Sequence, residues 1–251
     1  MDEMLSFSFR LWIIHQLFCN SVIVPFHFIL VRMFVFSFQR SQKIQSHILF
    51  RSLGTSTHAN NELRHSVTMK WVNSIVINEK LCPFAAPVVK DPKLRIKVSN
   101  AVNDDEMIRD LKYEVKLLVG DQAPLQQSQQ HETTLVVLDD PSLKDFRDLV
   151  RLSWRAQEEA VNEPGYTGDL QLVLFHPEAA HNTYAEKIDD AADYTIRSPY
   201  PIIHLLREVD VMRAVTSAYS DLEGLPSRNK ARFREQGVGT CAARLNACHK
   251  L

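Results

Sequence analysis

Glycine is scarce, 7 residues of 251, under half the usual share of about 7%. A chain so poor in glycine has little material for glycine-rich phosphate cradles. It also has no Walker loop, no HExxH and no GxSxG, which removes the commonest signatures of nucleotide hydrolases, zinc proteases and serine hydrolases. Gly237-Val-Gly239-Thr-Cys-Ala242 spells a degenerate dinucleotide fingerprint. No predicted strand precedes it and nine residues follow, too few for the helix and second strand that such a site needs. No basic run interleaved with aromatics occurs, and the formal net charge is −1, so nucleic acid is not an expected partner. The four cysteines, at 19, 82, 241 and 248, form no CxxC pair. Without an N-terminal leader three remain, an odd number that suits reduced thiols rather than a disulfide framework.

Acid is missing from one stretch altogether: no Asp or Glu lies between Met4 and Asn61, where Arg10, Arg32, Arg40, Lys43 and Arg51 are spread among Ser, Phe and Ile. Residues 1–60 carry five basic and two acidic side chains, leaving 24 and 28 for residues 61–251. A basic leader on an acidic body is the composition of an organellar import extension, since a membrane potential draws positive charge inward. Residues from Met33 onward read as an amphipathic presequence with a processing point near Arg51-Ser52-Leu53, which predicts a mitochondrial or other organellar protein. The competing feature is Leu11 to Val31, 21 residues without Lys, Arg, Asp or Glu. That run is long enough to cross about 30 Å of hydrocarbon, and membrane contact is expected only through it, although His15, Gln16, Asn20, Pro25 and His27 weaken it. A third alternative is that Met33 or a later Met is the true start.

The body predicts one α/β domain over 61–237, followed by a mobile tail over 238–251. Val67, Trp71 and Ile75 repeat at helical steps, with Asn60 or Asn61 as cap and an end at Leu81-Cys82-Pro83. Leu94 to Ser99 predicts a strand with Leu94, Ile96 and Val98 on one face. Asn103 and Glu106 form a capping-box-like start for a helix through Ile108, Leu111, Val115 and Leu118. A Gln-rich loop, 121–132, leads to a buried strand at Thr133 to Leu138. A third helix starts at Ser142 or Asp145 and runs through Phe146, Leu149, Val150 and Trp154. Leu170 to Phe175 is the third strand. Strand, helix, strand, helix, strand predicts a small, mostly parallel sheet of three or slightly more strands flanked by helices. A fourth helix is expected from Pro201 to Tyr219, with Ile202, Leu205, Val209 and Met212 inward, and a last one from Pro226 to Gly237.

Several residues carry candidate chemistry. Cys82 precedes Pro83, which disfavours helix at the residue before it, so its sulfur either packs as a small hydrophobe or faces a pocket. His176 sits just past the third strand, where α/β sheets bind ligands; it acts as a base or satisfies loop carbonyls. Asp139 and Asp140 hold the equivalent place on the second strand, or cap the next helix. Arg197-Ser198-Pro199-Tyr200-Pro201, followed by His204 and Arg207, is the densest group. Read as a proline-fixed helix start, it offers free N–H groups and arginines to a phosphate or carboxylate, with His204 and Arg207 on one helix face. The alternative is that these arginines pair with Asp189, Asp190 or Asp193 in the long segment 177–200.

These motifs in this order, Trp71 with Leu81-Cys82-Pro83-Phe84-Ala85, Thr133-Thr134-Leu135, Phe175-His176-Pro177, Asn182 to Tyr184 loosely, and Arg197-Ser198-Pro199-Tyr200-Pro201 with His204-Leu205-Leu206-Arg207-Glu208, resemble the family called domain of unknown function 1415. The similarity covers about 64–237. Members often carry Asn before the Arg-Ser-Pro where this chain has Ile196. The resemblance implies no activity, cofactor or substrate.

Two functions from different classes are expected from the residues. One is a small enzyme acting on an anionic small molecule, with Cys82 as thiolate nucleophile, His176 or His204 as base, and Arg197, Ser198, Tyr200 and Arg207 binding the substrate. The other is a non-catalytic anion- or partner-binding domain. A metal site from His176, His181, His204 and Cys82 lacks any ligand-spacing signature. No cofactor and no oligomeric state is indicated.

Overall fold

The computed structural model describes residues 53–91, 93–119, 132–181, 189–218 and 224–250. Helix α1, Leu53–Trp71, continues through a wider turn at Val72–Ile77. It starts ahead of the expected cap at Asn60 or Asn61; Gly54 and the Ser and Thr around it are weak helix formers and hid its first turns. Short helix α2, Ala85–Lys90, follows Pro83. Strand β1, Leu94–Val98, leads to helix α3, Asp104–Val119. Asn103 Oδ1 accepts from the Glu106 N–H at 2.9 Å, and the Glu106 carboxylate reaches back to the Val102 N–H at 3.0 Å, so the capping reading holds. Strand β2, Thr133–Val137, is buried at every position. Helix α4, Phe146–Ala156, is capped by Asp145, whose side chain accepts from the Arg147 N–H. Phe146, Leu149, Leu152 and Ala156 are buried, but Trp154, expected in the same stripe, is 57% exposed. Strand β3 spans Leu170–Phe175 as expected.

The expected helix from Pro201 is a strand. Strand β4, Ile202–Arg207, precedes helix α5, Glu208–Ala218, which starts seven residues later than expected. The apolar residues of Ile-Ile-His-Leu-Leu suit a strand buried on both faces as well as a helical stripe, and period alone does not separate the two. The stripe assigned to the helix is therefore out of register: Val209, expected inward, is 58% exposed.

This strand also changes the sheet. The order is β1-β2-β4-β3, with β1 and β2 parallel and β4 antiparallel to both β2 and β3. The three expected strands do run in one direction, but β4 is inserted between the second and third. The sheet is thus mixed and four-stranded, not mostly parallel. Alternation along the strands then divides two apolar layers. Val136, Leu170, Ile203 and Leu205 pack beneath α3 and α4, whereas Leu135, Val137 and Ile202 pack against α1 and the C-terminal helices. Leu94, Ile96 and Val98 share that second layer.

Helix α6, Leu225–Gln236, ends at Gly237, whose φ of 80° is open to glycine at low cost. The segment beyond, expected as a mobile tail, is helix α7, Val238–Ala247, with Cys241, Leu245 and Cys248 buried against Phe233 and α1. Its apolar residues have a helical face that a short C-terminal stretch did not advertise. Among the described residues no helix is long and apolar enough to cross a membrane. The leader through residue 52, most of the Gln-rich loop, Asn182 to Tyr184 and Glu186 lie outside the described residues.

Candidate functional site

A cavity of about 170 Å³ lies between the second face of the sheet and the α1–α2 segment. Trp71, Val72 and Val76 from the end of α1, and Ala85, Val88 and Val89 from α2, form one wall. Thr133 and Leu135 from β2, Phe175 from β3, and His204 and Leu206 from β4 form the other. These sheet residues share a face because successive side chains alternate. Glu132, Asp210 and Val211 border the cavity as well. The wall is thus apolar over nearly its whole extent, and Cys82 and His204 both line it.

The Trp71 and Phe175 rings meet edge to face at 5.2 Å, and Phe175 lies 6.2 Å from the His204 ring. Trp71 is fixed at its far end, where Nε1 donates to the Arg197 carbonyl at 3.1 Å. His204 Nε2 is 2.5 Å from Thr133 Oγ1, which itself donates to the Leu205 carbonyl at 2.9 Å. Burial pulls the His204 pKa down to about 4, so the ring is neutral at pH 7. Burial likewise pushes the Cys82 thiol above its ordinary value, outweighing the amides of Phe84 and Ala85 that favour the thiolate. Both groups therefore rest uncharged, as a thiol and a neutral imidazole. Glu132 is held by Lys93 at 2.7 Å, while Asp210 pairs with Arg207 and, at 2.9 Å, with Arg213. An apolar chamber with a charge-balanced rim results.

The remaining expected site residues are elsewhere. His176 is on the other side of the sheet, 5.8 Å from the Phe146 ring. Its Nε2 donates to the Leu143 carbonyl at 2.7 Å and its Nδ1 accepts from the Glu178 N–H at 2.9 Å. Both nitrogens are occupied, the alternative in which it satisfies the loop. Arg197 Nε donates to the Ala179 carbonyl at 3.0 Å, and its guanidinium lies 4.5 Å from the Tyr194 ring centre. It approaches Asp189 and Asp193 at 3.9 Å each, which is the loop-fastening alternative. Asp190 pairs with Arg234 of α6 at 2.7 Å. Ser198 is fully buried and donates to the Tyr200 carbonyl at 2.6 Å. Tyr200 packs edge-on to His249 at 5.5 Å. Arg207 does not share a helix face with His204, because on a strand residues three apart point to opposite sides; it pairs with Asp210. Asp140 caps the 3₁₀ turn Pro141–Leu143, and Asp139 pairs with Arg64 at 2.6 Å. Of the four residues expected to share a pocket, Cys82 and His204 do; His176 and Arg197 do not line it. Among the described residues no three His, Cys, Asp or Glu side chains come together as a metal site, and the His176, His181, His204 and Cys82 grouping is divided by the sheet.

The family model described as a protein of unknown function, DUF1415, matches residues 64–243. The chain belongs to the DUF1415 family. No curated protein and no solved structure matches it. The match runs from α1 into α7, reaching the first turns of that helix and its buried Cys241. The family description assigns no activity, and function is argued from the geometry.

The residue pattern alone did not mark Thr133, Phe175 and Trp71 as parts of the cavity wall, although each belongs to a motif of the family resemblance. A signal was present for Thr133: a hydroxyl on a buried strand needs a hydrogen-bond partner, and Thr133 and Thr134 open this one.

Proposed function

We propose that the domain binds a small, uncharged, mainly apolar molecule in this cavity, with His204 as its polar anchor and Cys82 beside it. One observation carries the reading: an apolar chamber of about 170 Å³ with a neutral imidazole and a thiol in its wall. Sites for small molecules combine mostly apolar walls with a few placed polar groups, and an apolar cavity of roughly 150 Å³ is large enough for benzene. The anionic ligand expected from the arginines has less support, because Arg197 and Arg207 are engaged by carboxylates or carbonyls and neither lines the chamber. The test is the melting temperature with toluene, phenol and benzoate at equal concentration. Stabilisation by the neutral compounds alone supports the reading; stabilisation by benzoate alone reverses it in favour of an anion site.

An enzymatic reading is favoured by Cys82 and His204 lining one cavity. In it the Cys82 sulfur adds to a carbonyl carbon of the bound molecule as the thiol proton passes to the imidazole, the C=O π pair moves onto the carbonyl oxygen, and the imidazolium returns the proton to that oxygen. Loss of turnover with retained ligand binding in Cys82→Ala would support it, and unchanged turnover would exclude it.

For the N-terminus we keep the import reading of residues 1–60, which rests on the acid-free, Arg-bearing composition. A fluorescent protein fused after residue 60 should enter an organelle, and a diffuse signal would refute this.

A further inference from the structure

His204 is a ring with two nitrogens and, among the described residues, one partner. That partner fixes which nitrogen carries the proton. The Leu205 carbonyl can only accept, so its 2.9 Å contact with Thr133 is a hydrogen bond when the hydroxyl proton lies on that side. The Thr133 oxygen is left with lone pairs toward His204 Nε2 at 2.5 Å, and this contact is a hydrogen bond only if Nε2 bears the hydrogen. A neutral ring protonated on Nε2 has its lone pair on Nδ1. No described group bonds Nδ1, and the ring lines the cavity. The carboxylates at the chamber are already paired: Glu132 with Lys93, and Asp210 with Arg207 and Arg213.

We propose that Thr133 is a positioning residue that holds His204 as a hydrogen-bond acceptor toward the cavity, and thereby selects a ligand carrying a hydroxyl or similar neutral donor on an apolar body. The inference rests on the cavity-binding reading and specifies its ligand class. A donor group satisfies Nδ1. An ether or carbonyl of similar shape brings a second acceptor against it, and a hydrocarbon leaves it unpaired. Unpaired buried polar atoms are what make such sites discriminate strongly against analogues lacking the partner. Thr133 is placed for this role by strand register, its Cα pairing with Leu206, so its side chain lies diagonally across from His204 on the same face.

The test has two readouts on the whole protein. The first is the ¹⁵N spectrum of the His204 ring at pH 7.5, without ligand. Wild type and Thr133→Ser are expected to show the Nε2–H tautomer, whereas Thr133→Val, which removes the acceptor, loses that preference. A wild-type ring protonated on Nδ1 overturns the proposal, whether or not the valine variant folds. The second is binding of phenol, anisole and toluene. Wild type should bind phenol about tenfold more tightly than either analogue, the ratio one well-placed hydrogen bond supplies. Thr133→Ser should keep this preference and Thr133→Val should reduce it to about twofold or less. Equal affinity of wild type for all three overturns the selection while leaving the cavity reading intact. Failure of all three to bind overturns both, with the tautomer spectrum still deciding what Thr133 does to His204.

Discussion

Ala85→Leu should make the protein more stable and, at the same time, unable to bind phenol in the cavity. Ala85 opens α2 and its side chain borders the cavity. Leucine adds three carbons, which at about 0.8 kcal/mol per buried CH₂ would return up to about 2.4 kcal/mol. Ordering the longer side chain costs about 0.5–1 kcal/mol, leaving a net gain of about 1.5 kcal/mol. For a domain of this size that raises the melting temperature by about 3–6 °C. The backbone is undisturbed, since alanine and leucine are both good helix formers and the amide beside Cys82 is retained. Thermal unfolding followed by circular dichroism measures the first effect, and loss of the phenol-induced shift in melting temperature measures the second. A gain in stability coupled to a loss of binding marks a void kept open for function. A variant that is destabilised by 1 kcal/mol or more and still binds phenol like wild type would mean that the chamber is not an available volume, and the reasoning would fail.

Stability should fall as pH drops from about 6.5 toward 4. Burial holds both His204 and His181 near a pKa of about 4, against an ordinary 6.5, and shifts buried His176 in the same direction. Above 6.5 neither folded nor unfolded chains carry the protons; below it the unfolded chain takes them first, so the contribution is lost progressively, by on the order of 2–3 kcal/mol for a shift of that size. Urea midpoints at pH 7.5 and 5.0 should separate less in His204→Gln than in wild type, and equal separation would contradict the His204 shift. Arg95→Met should cost about 3–5 kcal/mol, because it strands the fully buried Glu114 carboxylate now held at 2.6 and 3.0 Å. The double variant with Glu114→Leu should recover most of that in the same denaturation assay, and no recovery would place the loss elsewhere. His176→Asn should lower the melting temperature by removing two buried hydrogen bonds while leaving phenol affinity within about twofold. A folded His176→Asn that no longer binds would return His176 to the site.

Much of the DUF1415 fold was legible because its cues are local. Leu170–Phe175 and Thr133–Val137 are apolar runs between turns, and Asn103 with Glu106 starts α3 as its spacing implies. What was not legible depends on partners distant in sequence. Ile202–Arg207 satisfies a helical stripe as well as a strand, and only the open edges of β2 and β3 decide between them. The same ambiguity reaches the site: a helix starting at Pro201 implies an anion-binding terminus with His204 and Arg207 together, whereas the strand sends them to opposite faces. Helix α7 was missed for a related reason, since its burial comes from Phe233 and α1, not from its own short pattern. Cys82 and His204 were identified by residue type, but the chamber joining them is built from Trp71, Phe175 and Thr133, whose roles come from packing.

The most direct test of the central claim is a crystal structure of the protein soaked with phenol. Density for the ring is expected between Trp71, Leu135 and Val88, with its hydroxyl within hydrogen-bond reach of His204 Nδ1 and His204 Nε2 still bonded to Thr133. A chamber closed by collapse of α2 onto the sheet, or filled only by ordered water with phenol elsewhere, would contradict it.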